Sequence, residues 1–536
     1  MSVPNPPPTP RTNQPDEAAG ILRRIPALAC PNCHDRLQAG DGVLRCPQCR
    51  AEYPVLDGIP SFVERDPHSQ PPPTLPSPRR GEGNASEASE GKRQLSVVIP
   101  ALNEASNLER LLPNLRQELE AIGLDAELIV VDGGSTDGSD AIANRLGAQF
   151  VRQTQPGYGG ALREGFARAR GEYLLTLDAD GSHDPGFIRT MWAARDRAEV
   201  IIASRYTSGG SADMPRSRRV LSQVLNAVFR RGLALPYADL SSGYRLYRRR
   251  ALQAITLTAT DFDVLEEILI RCVAAGYTVA EVPFHYGARG AGKSHARLAQ
   301  FAISYLKTLG KMWRLRNSIA SADYDARAYD SVVPLQRYWQ RRRYAVITQL
   351  AAGSKQVLDV GCGSSRIIGS GQLVGLDIVL GKLRYARRYG NPLVHGSIFN
   401  LPFADSSFDT VICSEVIEHI PAEERVFSEL ERVLVPGGRL ILGTPDYDRW
   451  RWRALEWLYG RLSPGGYADE HITHYSQRNL AAYLQGRGMT IESIEYVAGS
   501  EMIFSLRTSA TRPVATTLPV ESGLRRVRQA NVTTMK

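Results

Sequence analysis

Residues 174–184, LLTLDADGSHD, decide the fold, because an apolar run ends there in two carboxylates. Alternate residues of a strand point the same way, so Asp178 and Asp180 can converge on one hard divalent cation at the strand's C-terminal end. Gly181 and Pro185 then turn the chain. A cation held there, Mg²⁺ or Mn²⁺, can neutralise a departing diphosphate. Taken alone, the short pattern also fits a solvated acidic turn.

Two earlier segments repeat the same arrangement of strand and turn. Residues 95–100 (LSVVIP) predict a β-branched strand, and residues 127–137 (ELIVVDGGSTD) predict a second buried strand that ends in an acidic, Gly-rich turn. A third unit opens at residues 157–163 (GYGGALR), whose glycines let a helix N-terminus approach an anion. Such units build a doubly wound parallel sheet, which binds ligands at the carboxyl ends of its strands. The residues expected to surround one crevice are Pro100, Glu104, Asp132, Asp178 and Asp180.

The ordered motifs resemble glycosyltransferase family 2, and more closely its polyprenyl-phosphate glycosyltransferases, typified by dolichyl-phosphate mannose synthase. The motifs that carry the resemblance are VIPALNE (98–104), VDGGSTDG (131–138), LDAD (177–180), ASRY (203–206), RRVLS (218–222), Ser242-Gly243 and RGAGKS (289–294). The resemblance spans residues 95–316 and implies a GT-A fold, an α/β nucleotide-sugar domain. It also implies transfer of a hexose from a nucleotide sugar to polyprenyl phosphate with inversion.

The same resemblance implies roles for individual residues. Pro100, Glu104, Val131, Asp132 and Ala179 would bind the nucleotide, Asp178 and Asp180 the metal ion, Arg205, Arg218 and Ser222 the acceptor phosphate, and Arg289 the donor diphosphate. Two departures, Gly133 and Ser182, leave the base and the sugar open.

The acceptor decides whether a general base is needed. A phosphate acceptor is ionised near neutrality, so it needs positioning and charge screening more than a base. Arginine suits this task because its planar fork binds phosphate oxygens in pairs. A hydroxyl acceptor would need a carboxylate base, for which Asp239 is the candidate.

Four cysteines near the N-terminus form two Cys-x-x-Cys pairs: Cys30, Cys33, Cys46 and Cys49. Four thiolates can close a tetrahedral zinc site with no open position, which predicts a structural Zn²⁺; redox pairing is the alternative. Residues 26–64 resemble the small zinc-ribbon subunit that activates certain methyltransferases. That resemblance implies that the ribbon packs against a methyltransferase, and a candidate follows in the same chain.

The C-terminal third repeats the pattern of a strand that ends in a Gly-rich turn. Residues 356–363 (QVLDVGCG) are followed by residues 374–377 (VGLD) and residues 401–419 (LPFADSSFDTVICSEVIEH). The set resembles the class I S-adenosylmethionine-dependent methyltransferases and implies a Rossmann-type domain. By this resemblance the cofactor would contact Asp359, Gly361, Gly363, Asp377, Ser397 and Ile398. Ser365 and Ser397 depart from the family pattern, so a binding scaffold without activity is the alternative.

In the sequence of this domain, neither a metal-ligand cluster nor a nucleophile marks the chemistry of methyl transfer. Transfer from a sulfonium needs mainly alignment and at most one base. His419, His471 and His474 are the candidates, with His471 preferred. A lone histidine is more often structural.

Composition restricts the partners and the location. The formal charge of +9 and pI near 9.2 favour anionic partners, and nucleic acid binding would rest on charge alone. No apolar run reaches the roughly 18 residues of a membrane span, so we expect a cytoplasmic protein. The amphipathic residues 297–316 predict a helix that either packs on the domain or lies at the inner membrane face.

The expected segments are 1–20 disordered, 26–64 ribbon, 65–94 linker, 95–316 glycosyltransferase, 317–345 connector, 346–508 methyltransferase and 509–536 disordered.

Overall fold

The computed structural model of the chain describes residues 17–63, 93–287, 298–462 and 471–509. The predicted linker, the predicted C-terminal tail and most of the N-terminal lead lie outside these ranges, as does Arg289. Among the described residues, no helix is both long and apolar enough to cross a bilayer.

The N-terminal ribbon is a helix followed by a four-stranded antiparallel sheet. Its elements are α1 (Glu17–Arg24), β1 (Gln38–Ala39), β2 (Val43–Arg45), β3 (Glu52–Leu56) and β4 (Ile59–Pro60), paired in that strand order. Helix α1 begins inside the stretch predicted to be disordered. Ala18 and Ile21 are buried in the core that follows, and this burial offsets the entropy of ordering the helix.

The central domain is built on a seven-stranded sheet. Its elements are β5 (Leu95–Ala101), α2 (Ala105–Ala121), β6 (Ala126–Asp132), α3 (Ser139–Arg145), β7 (Gln149–Arg152), α4 (Gly157–Arg168), β8 (Tyr173–Thr176), α5 (Ile188–Ala193), β9 (Val200–Ser204), β10 (Ser211–Ala212), α6 (Arg216–Gly232), β11 (Arg245–Arg248), α7 (Arg249–Gln253), α8 (Val264–Ala274), β12 (Val279–Pro283) and β13 (His285–Tyr286). The strand order is β12-β9-β11-β8-β5-β6-β7, with β11 antiparallel to both neighbours. Strands β5, β6 and β8 run parallel, so the motifs that follow them share one edge.

Helix α9 (Leu298–Asn317) closes this domain and faces two environments. Tyr305 and Met312 pack into the core, as the packed alternative predicts. Ile303 and Leu306 are more than half exposed. The helix therefore docks on the domain and still presents two apolar side chains outward.

The C-terminal domain follows two connector helices and has its own seven-stranded sheet. Its elements are α10 (Tyr324–Tyr329), α11 (Pro334–Leu350), β14 (Val357–Val360), β15 (Leu373–Asp377), α12 (Leu380–Ala386), β16 (Leu393–His395), β17 (Phe408–Ser414), α13 (Glu424–Val433), β18 (Leu434–Pro445), α14 (Trp450–Leu462), α15 (Gln477–Gly486), β19 (Thr490–Val497) and β20 (Glu501–Arg507). The order is β16-β15-β14-β17-β18-β20-β19. Strands β16, β15, β14, β17 and β18 run parallel and form a Rossmann-type core, and β20 is antiparallel to both of its neighbours, β18 and β19.

The ribbon packs directly on this C-terminal domain, which confirms the predicted docking. Leu28 bridges to Phe403 and Ser61 to His395, both through the backbone. Apolar side chains of the ribbon and of the C-terminal sheet belong to one continuous buried cluster. The two units therefore share a core, and neither buries its apolar face alone.

A single carboxylate connects all three folded units. Asp57 of the ribbon pairs with Arg250 of the central domain at 2.8 Å and with Arg384 of the C-terminal domain at 2.6 Å. Burial alone would raise the pKa of Asp57, but the two arginines outweigh it and hold that pKa below its usual range. The charged junction therefore fixes the three units against one another.

Candidate functional sites

The acid pair lies immediately after strand β8. Asp178 Oδ1 accepts a hydrogen bond from Tyr158 Oη at 3.0 Å, and the backbone N–H of Asp178 donates to His183 Nδ1 at 2.9 Å. Asp180 is almost fully buried and accepts from the backbone N–H of Ser182 at 3.0 Å. Hydrogen bonds therefore fix both carboxylates at the sheet edge where the sequence predicts a cation.

The predicted nucleotide-binding residues follow the neighbouring strands. Asp132 ends β6, and its carboxylate accepts from the backbone N–H groups of Gly134 and Ser135 at 2.9 and 3.0 Å. Glu104 precedes α2 and accepts from Asn107 Nδ2 at 2.5 Å. Three further residues were predicted to bind the nucleotide. Pro100 is half-buried in β5, and Val131 and Ala179 are buried. The Val131 side chain packs in the sheet core, which leaves only its backbone for a nucleotide.

Arg205 and Asp239 form a buried ion pair with fork geometry. Arg205 Nε and Nη2 each donate to one carboxylate oxygen of Asp239 at 2.7 Å. Burial alone would raise the pKa of Asp239, but the hydrogen bonds and charge of Arg205 hold that pKa below its usual range. A fully buried carboxylate engaged in this way positions the guanidinium. The structure therefore does not support Asp239 as a general base.

The other two predicted acceptor residues lie on helix α6. Ser222 Oγ is 3.3 Å from Ser241 Oγ, which in turn accepts from Arg205 Nη2 at 2.8 Å. Arg218 is exposed near the helix N-terminus and has no protein hydrogen bond or ion pair within the described ranges. Ser222 therefore connects to Arg205 through Ser241, and Arg218 remains available to an anion.

Aromatic rings connect the acid pair to Arg205, and sequence patterns alone did not reveal them. The Tyr286 ring lies 5.7 Å from the His183 ring and 5.6 Å from the Arg205 guanidinium carbon. His183 touches Asp178 on its other side. Tyr286 follows His285 in β13, more than 100 residues from the acid pair, so local spacing cannot indicate the contact. A series of contacts therefore runs from Asp178 through His183 and Tyr286 to Arg205.

The C-terminal domain contains a cavity of about 320 Å³ at the carboxyl ends of its parallel strands. All six residues predicted to contact the cofactor line it: Asp359, Gly361, Gly363, Asp377, Ser397 and Ile398. Gly361 and Gly363 have left-handed φ angles of 73° and 54°, and a Cβ at Gly363 would come within 2.5 Å of Asp325. The Gly-rich turn therefore depends on glycine for both conformation and space.

Three carboxylates line this cavity around the Gly-rich turn. Burial and the neighbouring Asp377 raise the pKa of Asp359 to about 7, and Asp359 Oδ2 has no hydrogen-bond partner among the described residues. Asp377 accepts from the N–H groups of Gly363 and Val379 at 2.8 and 2.7 Å. Asp325, which sequence reasoning missed, reaches in from α10 and pairs with Lys382 at 3.2 Å. An unpartnered buried carboxyl beside a Gly-rich turn suits the ammonium group and ribose of S-adenosylmethionine.

The four ribbon cysteines converge on one point. The Cys30 and Cys49 sulfurs lie 3.4 Å apart, as do those of Cys33 and Cys46, and all four lie within 4.8 Å of one another. A tetrahedral zinc thiolate site places sulfurs about 3.8 Å apart. The cluster therefore has the donor set and spacing of a structural zinc site.

Two family models match the chain. The model described as "Glycosyl transferase family 2" matches residues 96–256, and the one described as "Methyltransferase domain" matches residues 358–442. The polyprenol monophosphomannose synthase of Mycolicibacterium smegmatis is 31% identical over 245 residues, which cover 42% of this chain and 90% of that protein. The dolichol-phosphate mannosyltransferase of Pyrococcus furiosus is 31% identical over 238 residues, which cover 42% and 65%.

Among solved structures, the glucosyl-3-phosphoglycerate synthase of Mycobacterium tuberculosis, with Mn²⁺, uridine diphosphate and phosphoglyceric acid, matches at a TM-score of 0.35 and 24% identity, covering 41% of this chain and 78% of that one.

Fold and sites together define a chain with two transferase domains, one for nucleotide sugars and one for methyl groups. The chain belongs to glycosyltransferase family 2, and it also carries a methyltransferase domain. The predicted architecture, a GT-A type domain and a Rossmann-type domain preceded by a small cysteine ribbon, is confirmed. The relatives also confirm the resemblance to polyprenyl-phosphate mannose synthases.

Proposed function

We propose that the central domain transfers a hexose, mannose or glucose, from a nucleotide sugar to polyprenyl phosphate with inversion and with Mg²⁺ or Mn²⁺ at Asp178 and Asp180. The observation that carries this proposal is the pair of ring contacts of Tyr286, 5.7 Å to His183 and 5.6 Å to Arg205, which links Arg205 to the turn that bears the acid pair. A metal-bound diphosphate and an arginine-bound phosphate can then meet across one crevice. The names of the two relatives support polyprenyl phosphate as the acceptor.

An apolar stripe on α6 supports a lipid acceptor. Val220, Val224 and Val228, one helical turn apart, are 57%, 53% and 46% exposed, and Leu221 beside them is 46% exposed. Leu221, three residues after Arg218, is its neighbour on the helix surface and joins the stripe to that arginine, so the hydrocarbon chain of a phosphate held by Arg218 could reach the stripe. The stripe and the outward side chains of α9 also support peripheral contact with the inner membrane face.

We expect the double substitution Val220→Asp and Val224→Asp to raise KM for a long polyprenyl phosphate by about tenfold or more, because two apolar contacts with the lipid are lost. A short, water-soluble prenyl phosphate should be used with nearly unchanged kcat/KM. Gln223→Asp, exposed on the same helix, is the matched control and should leave both acceptors unaffected. Equal losses with both acceptors would show that the stripe does not hold the lipid.

For the C-terminal domain we propose S-adenosylmethionine-dependent methyl transfer to a sugar or lipid-linked intermediate of the same glycan pathway. Asp359 and Asp377 would hold the methionine part and the ribose, and Ser397 with Ile398 the adenine. The alternative is that the ribbon and this domain serve only as a binding scaffold. The lined cavity with the unpartnered Asp359 oxygen supports the cofactor over the scaffold.

Titration of the full chain with S-adenosylmethionine separates the two possibilities. We expect saturable binding, weakened about 10-fold to 100-fold by Asp377→Asn, since a charged acceptor of the ribose hydroxyls is lost. Asp448→Asn, exposed and outside the cavity, is the matched control and should bind like the unmodified chain. Absence of binding at millimolar cofactor would leave only the scaffold.

A further inference from the structure

Three potential metal ligands meet at the edge of the C-terminal cavity. Glu418 and His419 follow strand β17 in a 3₁₀ turn, and His471 lies 52 residues after His419. One carboxylate oxygen and one nitrogen from each imidazole lie within 4.8 Å of one another. Ligands on one first-row cation are about 3 to 4 Å apart, so this cluster is close to a coordination sphere.

The backbone holds the cluster together. The N–H groups of Ile472 and Thr473 both donate to the Glu418 carbonyl oxygen, at 2.9 and 3.0 Å. This contact fixes His471 against the turn that bears the other two residues, and the two imidazole centroids are 4.8 Å apart. The juxtaposition is therefore part of the fold.

Glu418 has the features of a ligand. It is fully buried, its Oε2 accepts from Thr444 Oγ1 at 3.0 Å, and its Oε1 has no hydrogen-bond partner among the described residues. An unsatisfied buried carboxylate oxygen is costly unless a cation or a proton completes it. The neighbouring imidazoles make a cation the better complement.

His471 shows the outer hydrogen bonds that ligating histidines use. Its Nδ1 lies 2.7 Å from Tyr447 Oη and 3.3 Å from Glu456 Oε1, and Tyr447 Oη also donates to that carboxylate oxygen at 2.7 Å. A carboxylate behind a histidine fixes the ring and raises its basicity as a ligand. His474 is stacked on Tyr447 at 4.0 Å and is not a member of the cluster.

We propose that Glu418, His419 and His471 form a site for a divalent transition-metal ion such as Mn²⁺, Fe²⁺ or Zn²⁺. Two imidazoles and one carboxylate suit such ions better than Ca²⁺, and three protein ligands leave positions open. His419 lines the cavity that contains the predicted cofactor residues. An ion bound there would lie beside that cavity, where hydroxyl oxygens of a methyl acceptor could complete the coordination. This role rests on the proposed methyl transfer, whereas binding of the ion does not.

Mn²⁺ binding to the full chain, loaded with one equivalent of Zn²⁺ so that zinc fills the four-cysteine group and leaves the second group open, is followed by electron paramagnetic resonance and tests the site. Asp180→Asn is included in every sample to weaken the central-domain site. We expect this protein to bind Mn²⁺ with imidazole nitrogen couplings in the spin-echo modulation. Adding His471→Ala or, as a second variant, Glu418→Gln should weaken that binding by about 100-fold or more. His474→Ala is the matched control and should leave binding and couplings unchanged.

The proposal would be overturned if the Asp180→Asn protein bound no Mn²⁺ at millimolar concentration, if the bound ion showed no nitrogen coupling, or if His471→Ala left binding and coupling intact. Titration with S-adenosylmethionine in the absence of Mn²⁺ reports separately on the proposed methyl transfer. A chain that binds the cofactor but not Mn²⁺ would refute the metal site alone.

Discussion

Replacing Asp180 with asparagine is expected to lower hexose transfer to polyprenyl phosphate by about 1000-fold, because the departing diphosphate loses its charge neutralisation. Asparagine has the same shape, and its amide oxygen can still accept from the Ser182 N–H, so the turn after β8 should stay in place. One negative charge is removed from the metal site, and Mn²⁺ affinity should fall with it.

Initial rates with labelled nucleotide sugar over a range of Mn²⁺ concentrations measure this effect. Asp184→Asn is the matched control: its side chain is exposed and only caps the short turn at Gly186, so the rate should change less than about threefold. A normal rate for the Asp180 variant at every Mn²⁺ concentration would remove the metal assignment.

The second large effect concerns the ribbon. If the four cysteines hold Zn²⁺ as predicted, its loss by chelation or by Cys33→Ser should lower the unfolding temperature of the C-terminal domain by about 10 °C or more. Structural zinc contributes roughly 10 kcal/mol or more of binding free energy to a small ribbon. Because the ribbon and the methyltransferase domain share one buried cluster, part of this free energy stabilises the larger domain.

Scanning calorimetry of the full chain with and without chelator measures the shift. Gln48→Ser, an exposed residue of the same cysteine turn, is the matched control and should unfold like the unmodified chain. Chelator should have no further effect on Cys33→Ser. If the unfolding of the C-terminal domain were unaffected by chelation, the ribbon would not be an integral part of its core.

Strand-ending motifs allowed much of the fold and site to be predicted. The parallel strands around the two sites and the place of the acid pair follow from short apolar runs that end in acidic or Gly-rich turns, whereas the six cavity residues of the C-terminal domain were predicted from the resemblance to methyltransferases. Such motifs are local, so a single sequence reveals them. The ribbon's docking was predicted from resemblance alone, since no pattern indicates which surface its apolar face covers.

Long-range charge pairing was not predictable. Asp239 fits a general base by sequence, yet Arg205, 34 residues away, engages both of its oxygens. Asp325 and Asp57 likewise find partners more than 50 residues distant. Periodicity reports which face of an element is buried, but it does not report which two polar groups meet when elements pack.

The central claim is tested most directly by incubating the full chain with Mg²⁺ or Mn²⁺, polyprenyl phosphate and a panel of labelled nucleotide sugars, then extracting with organic solvent. The account predicts that label from one sugar enters the organic phase only when both polyprenyl phosphate and the divalent cation are present. Label that stays in water with every sugar, or that passes instead to a small phosphorylated acceptor such as phosphoglycerate, would contradict it.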